Sequence, residues 1–407
     1  AEGSELAVVE GVEGGDEEVV LRLSADLAGR YARQALEINA NVARATHGET
    51  VPLEALGSGD GSQANQSLRL RRPPLTYVSA PTATGASGTL SVRVDTVEWE
   101  EVPSLYGLDP QREAYTVRLE DDGTTRVVFG DGRMGARLPS GTENVVATYR
   151  SGIGPEGNVQ SGSLTLLQTR PLGVREVTNP LPATGGAAAE ALEDARTNAP
   201  LTVLTLERIV ALKDFEDFAR AFAGIGKAAA VTLWNGRANT VHVTVGGADG
   251  EPLDPGSALF GNLLRAIDGN RDPALEVFVQ SFVTRPFTVA ASVLVAPRYE
   301  AEAVLTAAGS ALRETFAFAR RAFGQPVTAA EVATALQGVQ GVEAVDLDRL
   351  AFGGERADSA PGTPPAFLPA ARATWPRGAP APRPAELLRL DPQDPGAVTL
   401  TRMERPA

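Results

Sequence analysis

The sequence predicts a multi-domain α+β fold in which an antiparallel β domain is followed by two small α/β units, each a helix-on-sheet layer. Three observations carry this. Phe129-Gly-Asp-Gly-Arg-Met-Gly-Ala-Arg-Leu-Pro-Ser-Gly141 alternates with the strand-like runs Arg126–Phe129 and Val145–Tyr149, so strands and glycine-punctuated turns succeed one another. Past residue 200 the hydrophobic period switches: Phe215, Phe218, Ala219 and Phe222 fall at i, i+3, i+4 and i+7, on one helical face. Phe287, Val289, Ala291, Val293 and Val295 then alternate strictly and lead into a second helical stripe, Val304 to Ala319, repeating the helix-on-sheet plan.

Taken in order, residues 1–83 read as a mixed segment. Val19–Leu23 is strand-like, Leu27–Ala45 predicts one helix, and Leu68–Leu70 and Leu75–Val78 are extended pieces around Pro73 and Pro74. The sequence begins without methionine inside this segment, which predicts a piece of a larger domain. Residues 84–170 form the antiparallel β domain, with Tyr115–Leu119 turning through Asp121-Asp-Gly123 into the next strand. Gly130, Asp131, Gly132, Gly135, Pro139, Gly152, Gly154, Gly157 and Asn158 are its structural turn residues. Residues 171–200 are a linker and a short helix, Glu190–Arg196, ending before Pro200.

Residues 201–284 follow the order α-β-β-α-β. The two strands flank the hairpin dipeptide Asn235-Gly236, and Leu259, Phe260, Leu263, Leu264 and Ile267 mark the second helix. Residues 285–352 form the second unit, where Thr328-Ala-Ala-Glu331 has capping-box spacing. Residues 353–385, rich in Pro, Ala, Gly and Arg, read as a flexible loop, and residues 386–407 as a terminal strand pair. Trp375 within that loop is an anchor, either onto the protein's own surface or into a neighbouring subunit. Phe215, Phe218, Phe222, Leu259 and Leu263 are candidate packing or interface positions, facing the chain's own sheet or a partner.

Composition narrows the function. The 407 residues suffice for two to three domains, and a formal net charge of −14 disfavours nucleic acid or an anionic membrane as partner. Arg69, Arg71 and Arg72 are close enough for a local basic patch, which also fits a solvated or ion-paired face. No cysteine is present, which removes disulfides, thiolate metal sites and cysteine nucleophiles. No run is long and apolar enough for a membrane span, and the acidic first residues do not form a signal peptide. Lys213 and Lys227 are the only lysines, a bias that matches a GC-rich genome.

Chemical motifs fail on spacing or context, so no catalytic, cofactor-binding or metal residue is assigned. Gly152-Ile-Gly-Pro-Glu-Gly157 matches the dinucleotide fingerprint, but Pro155 and Asn158–Gly162 stand where the phosphate-binding helix must begin. His47 and His242, the only histidines, lie in different segments; His242 should share a polar strand face with Thr244. Gly57-Ser-Gly-Asp-Gly61 lacks nucleophile-elbow spacing. Glu98 and Glu100, on one strand face beside Trp99, leave open a glycosidase pair, against the plainer reading of a solvated edge. Asp121 and Asp122 belong to a turn too poor in oxygen ligands for calcium.

Several of these pieces, in colinear order, resemble the baseplate J-like family of contractile phage tails and related injection systems. They are Asn41–Thr50, Leu56–Asp60, Val94–Gly107, Val128–Pro139, Tyr149–Val159, Arg170–Val174, Val177–Gly186 and Asp214–Ala219, within a match of roughly Asn39 to Leu350. The family usually has Asp-Tyr-Glu where this chain has Asp-Phe-Glu. The resemblance implies a non-enzymatic structural wedge component, with no cofactor and no catalytic residues to carry over. It implies assembly in the bacterial cytoplasm, pairing with a paralogue or second copy, a ring of six wedges, and contacts with hub, spike and sheath proteins. A cell-wall hydrolase of the same particle and a glycan- or receptor-binding module using Trp99 and Tyr106 are the alternatives.

Overall fold

The computed structural model describes residues 5–404 except 6, 15–18, 25, 28, 30, 33, 35, 40, 41, 44, 121, 189, 191, 206, 207, 354–363 and 391–394. Two units divide the chain: Ala1–Val78 with Gly88–Ala189, and Ser79–Ser87 with Glu190–Ala407.

In the first unit, β1 (Val9–Gly14) and β2 (Val19–Leu23) form an antiparallel hairpin. Among the described residues of the predicted helix Leu27–Ala45 no α-helix occurs; Leu27, Leu36, Ile38 and Val42 are exposed, so a helix there would have no core to bury against. The unit's main sheet is built from β3 (Glu49–Gly57), β4 (Ser67–Arg69), β7 (Ser91–Val94), β8 (Val97–Glu101), β9 (Ala114–Leu119), β10 (Thr125–Phe129) and β11 (Val145–Ser151). Its strand order is β3-β11-β7-β8-β9-β10-β4, so it takes strands from both residues 1–83 and residues 84–170. The short strands β5 (Tyr77–Ser79) and β6 (Ala86–Gly88) bracket the excursion that clusters with the second unit.

The sheet is not wholly antiparallel, as the sequence led us to expect: β8 and β9 pair in parallel, Glu100 opposite Ala114. Residues 102–113 between them are long enough to return the chain to its starting end, the requirement for a parallel neighbour. Every second residue of β10 and β11 points inward. Val127, Phe129, Val145, Ala147 and Tyr149 join Val92, Val94, Trp99 and Tyr115 in one core, where the Trp99 ring meets Phe129 edge-on at 5.5 Å. The Tyr149 hydroxyl, at the edge of this core, donates to Glu54 Oε2 at 2.8 Å and accepts the Arg72 backbone N–H at 3.0 Å.

The second unit contains two modules. α1 (Leu192–Thr205) carries Pro200 inside it, whereas the sequence reading stopped the helix before that proline; the cost is one missing backbone donor. α2 (Leu212–Ala221), β12 (Ile225–Trp234), β13 (Asn239–Gly247), α3 (Ala258–Asn270) and β14 (Val277–Ser281) realise the α-β-β-α-β order. β12 and β13 form the expected hairpin. Asn235 Oδ1 accepts the N–H groups of Arg237 and Ala238, and Gly236 has φ of 98°. β13 and β14 pair in parallel because α3 crosses between them. One sheet face, Val241, Val243 and Val245, is covered by Phe215, Phe218, Phe222, Phe260, Leu263 and Ile267.

The second module centres on β15 (Val283–Val295), followed by α4 (Ala301–Thr315), β16 (Val327–Thr328), α5 (Ala329–Gln337), β17 (Val342–Phe352), β18 (Phe367–Leu368), β19 (Glu386–Leu390) and β20 (Val398–Arg402). Phe287, Val289 and Ala291 pack with Ala308, Leu312 and Phe316 before α5 and with Val332 and Leu336 of α5. α5 begins as its sequence dictates: Thr328 Oγ1 accepts Glu331 N–H at 3.1 Å, and Glu331 Oε2 accepts Thr328 N–H at 3.0 Å. β17 lines one edge of β15 antiparallel. β19 and β20 do not pair with each other, as the terminal-strand reading has it. They pair in parallel with successive halves of β15, Val283–Phe287 and Val289–Val293, because β15 is long enough to hold both end to end.

Phe129→Ala should lower stability by about 3–5 kcal/mol, since it removes the ring that Trp99 and Tyr115 pack against. The check is a shift of the urea midpoint followed by tryptophan fluorescence.

Candidate functional site

The turn residues singled out from sequence gather in two loop clusters, both in the first unit. In one, Gly57–Gly61 interlocks with Leu138–Gly141. Gly59 donates its N–H to Asn144 Oδ1 at 2.8 Å and its carbonyl accepts the Gly141 N–H at 3.1 Å. Gly61 N–H reaches Ser140 Oγ and Glu143 N–H reaches Ser58 Oγ, both at 2.9 Å. Gly59 is buried, and a Cβ there would collide with the Pro139 carbonyl oxygen.

The same cluster contains the Phe129-Gly-Asp-Gly turn. Asp131 Oδ1 accepts the N–H groups of Arg133 and Met134, each at 2.7 Å, and these bonds hold its carboxyl below the usual range. Gly132 N–H donates to the Gly135 carbonyl at 3.0 Å, with φ of 79° at both glycines. A Cβ on Gly130 would collide with that same carbonyl. Phe129 N–H and Asp60 N–H both go to Gln66, to its carbonyl and its Oε1, and so tie the two loops together.

The second cluster uses the fingerprint-like glycines. Gly152 and Gly157 lie against the His47 ring: a Cβ on Gly157 would sit 2.7 Å from His47 Cγ. Pro155–Gly157 forms one 3₁₀ turn in place of the phosphate-binding helix, and Gly154 carries φ of 113°. Asn158 exchanges two bonds with the Gly186 backbone, Nδ2 to its carbonyl and Oδ1 from its N–H, both at 2.8 Å. Asn179, from Thr178-Asn-Pro, donates to the carbonyls of Gln160 and Leu181 and accepts the Leu164 N–H. The sequence signals 41–50, 149–159 and 177–186 therefore meet at one place. Sequence reasoning missed that Asn144, Gln66 and Asn179 are the side chains that fasten these loops; their only signal was proximity to the glycine motifs.

Other candidates fall elsewhere. Phe215, Phe218, Phe222 and Leu263 are buried in the core of their own module, with Leu259 packed against it. Asp214 Oδ2, in Asp-Phe-Glu, accepts the N–H groups of Val210 and Ala211 at the start of α2. Trp375 stacks edge-on against Phe278 at 5.1 Å and donates from Nε1 to the Ala379 carbonyl. Trp99 is 5% exposed, so it cannot serve as the aromatic platform of the glycan-binding alternative; Tyr106 is exposed. Glu98 accepts from Ser91 Oγ and pairs with Arg93, and Glu100 pairs with Arg112. Arg72 pairs with Glu49 rather than standing in a basic patch. His242 shares its strand face with Thr244, as expected, and is fully buried. Asp121 lies outside the described residues. Among the described residues no group of three metal-ligating side chains occurs, and no helix is long and apolar enough to cross a membrane.

The α2-β12-β13-α3-β14 module coincides with the one family match. Residues 207–280 match the family model described as the baseplate J-like central domain. No curated protein matches the chain. Among solved structures it is similar to a chain of the anti-feeding prophage baseplate, a cryo-EM structure with 6-fold symmetry imposed. That likeness has 13% identity, covers 89% of this chain and 74% of the other, and has a TM-score of 0.34, too low to assign a shared fold.

Gly130→Ala should destabilise the protein by about 1–3 kcal/mol, because the added methyl must displace backbone. Gly261→Ala, within α3 and with open space around it, should stabilise by about 0.5–1 kcal/mol. Thermal denaturation of the two variants beside the parent checks both signs.

Proposed function

We propose that this protein is a structural component of the baseplate of a contractile injection system or contractile phage tail, acting as a wedge subunit without enzymatic activity. The observation that carries the reading is the match of residues 207–280 to the baseplate J-like central domain. The two loop clusters support it, since their glycines, asparagines and Asp131 are spent on fixing backbone to backbone, as a load-transmitting part requires. In this reading the partners are a paired paralogue or second copy, the hub, the spike and the sheath. Six wedges close the ring, after assembly in the bacterial cytoplasm. A net charge of −14 suits protein partners better than nucleic acid.

The test is electron microscopy of particles from the native source, with an epitope inserted at Ala360 and labelled. Label in six-fold arrangement at the base of the sheath is the expected result. Intact particles that never carry label there would overturn the wedge role.

A further inference from the structure

The face of the β12-β13-β14 sheet opposite α2 and α3 is polar at its centre, yet buried: Thr240, His242 and Thr244 are each at most 1% exposed. Its cover comes from outside the matched domain. Residues 371–386 form a closed strap in which Glu386 N–H meets the Ala371 carbonyl and Thr374 and Arg383 exchange backbone bonds at 3.1 and 2.8 Å. Trp375 seats the strap's tip on Phe278 of β14. At its base, Ala385 N–H donates to Thr244 Oγ1 at 3.2 Å. Thr244 Oγ1 lies 3.4 Å from His242 Nδ1, and His242 Nε2 lies 2.9 Å from Gln280 Oε1.

This chain of bonds has a direction. Gln280 Oε1 can only accept, which puts a hydrogen on Nε2; Thr244 Oγ1 accepts from Ala385 and has its own proton to offer to Nδ1. The neutral imidazole with its hydrogen on Nε2 satisfies all three groups. Protonating Nδ1 would aim a second N–H at Thr244 Oγ1 and leave the hydroxyl proton without its acceptor. It would also place a charge in a dry site. The ionisable groups on the facing elements are Lys227 on β12, Glu276 just before β14 and Arg372, Arg377, Arg383 and Glu386 on the strap, and none of them hydrogen-bonds the ring.

We propose that His242 is an acid-sensitive latch: the neutral ring holds the 371–386 strap on the central-domain sheet, and protonation releases the strap locally and uncovers the Thr244 and Phe278 face. Burial lowers the pKa of His242 and only the Gln280 bond opposes it, so the neutral form belongs to the closed strap. The sign follows: protection is full above the ordinary histidine pKa of about 6.5 and falls with pH, by up to about tenfold per unit, until the depressed folded value is reached.

The experiment is hydrogen–deuterium exchange of the full chain between pH 7.5 and 5, corrected for intrinsic rates, on the parent and on His242→Gln, whose neutral amide can serve both neighbours. The expected result is a loss of protection with acid confined to 374–386 and the facing strand β13 in the parent, and none in the variant. Equal protection at both pH values, an equal loss in the variant, or a loss spread over the whole chain would each overturn the proposal. Should the variant not fold, histidine ring NMR of the parent decides. Two histidines give two signals. A ring protonated at Nε2 that titrates below 6.5 together with the Ala385 amide shift supports the latch, and titration at or above that value, or without an Ala385 response, sinks it.

Discussion

Two stretches of backbone in the first unit approach more closely than any side chain allows, and the loops around its sheet depend on that approach. Gly59 lies against the Pro139 carbonyl, and Gly130 against the Gly135 carbonyl. Around those contacts several polar groups have defined partners. Asn144 spans Gly59 and Pro139, Gln66 receives Asp60 and Phe129, and Asp131 gathers the amides of its own turn. Buried backbone groups in loops cost stability unless paired, so the glycines and the hydrogen bonds need each other. The result is loops whose backbone is tied to loop and side-chain partners as well as to the strands they connect. A subunit that must transmit force between neighbours gains from that rigidity, which links the turn chemistry to the proposed structural role.

The second unit is held by a different interaction, apolar burial on sheets that other segments complete. The α2-β12-β13-α3-β14 module has its helices on one face, and residues 371–386 cover the other. The neighbouring module likewise relies on β19 and β20, which occupy successive halves of one edge of β15. Lys227 adds a polar fastening between the modules. Its ammonium donates to the carbonyls of Phe318 and Arg321 and sits over the Phe318 ring, while burial lowers its pKa to about 8. Segments within residues 371–402 therefore finish both modules of their unit.

Local signals were legible in the sequence wherever the deciding forces are local. Asn235-Gly236, the Thr328 to Glu331 box and the alternation of Phe287 to Val295 each formed the expected element, because turn chemistry, capping and side-chain period act within a few residues. Long-range pairing was not legible. Nothing near Glu100 specifies a parallel partner at Ala114, and nothing in Glu386–Leu390 shows that it extends β15 rather than pairing with Val398–Arg402. The glycine motifs marked where the two loop clusters lie, but some of the groups they approach, Pro139 for Gly59 and His47 for Gly157, are dozens of residues away. Trp375 shows the same limit: its type suggested an anchor, and only Phe278, nearly a hundred residues earlier, shows what it holds in this structure.

The central claim is that the glycine loops are rigid connectors fixed by close backbone approach. Native-state hydrogen exchange of the amides of Gly59, Gly61, Gly132 and Gly141 tests it directly. Exchange as slow as that of Val127 and Ala147 in the adjoining strands is the predicted result. Exchange at the rate of unprotected loop amides, with the strands still protected, would contradict it.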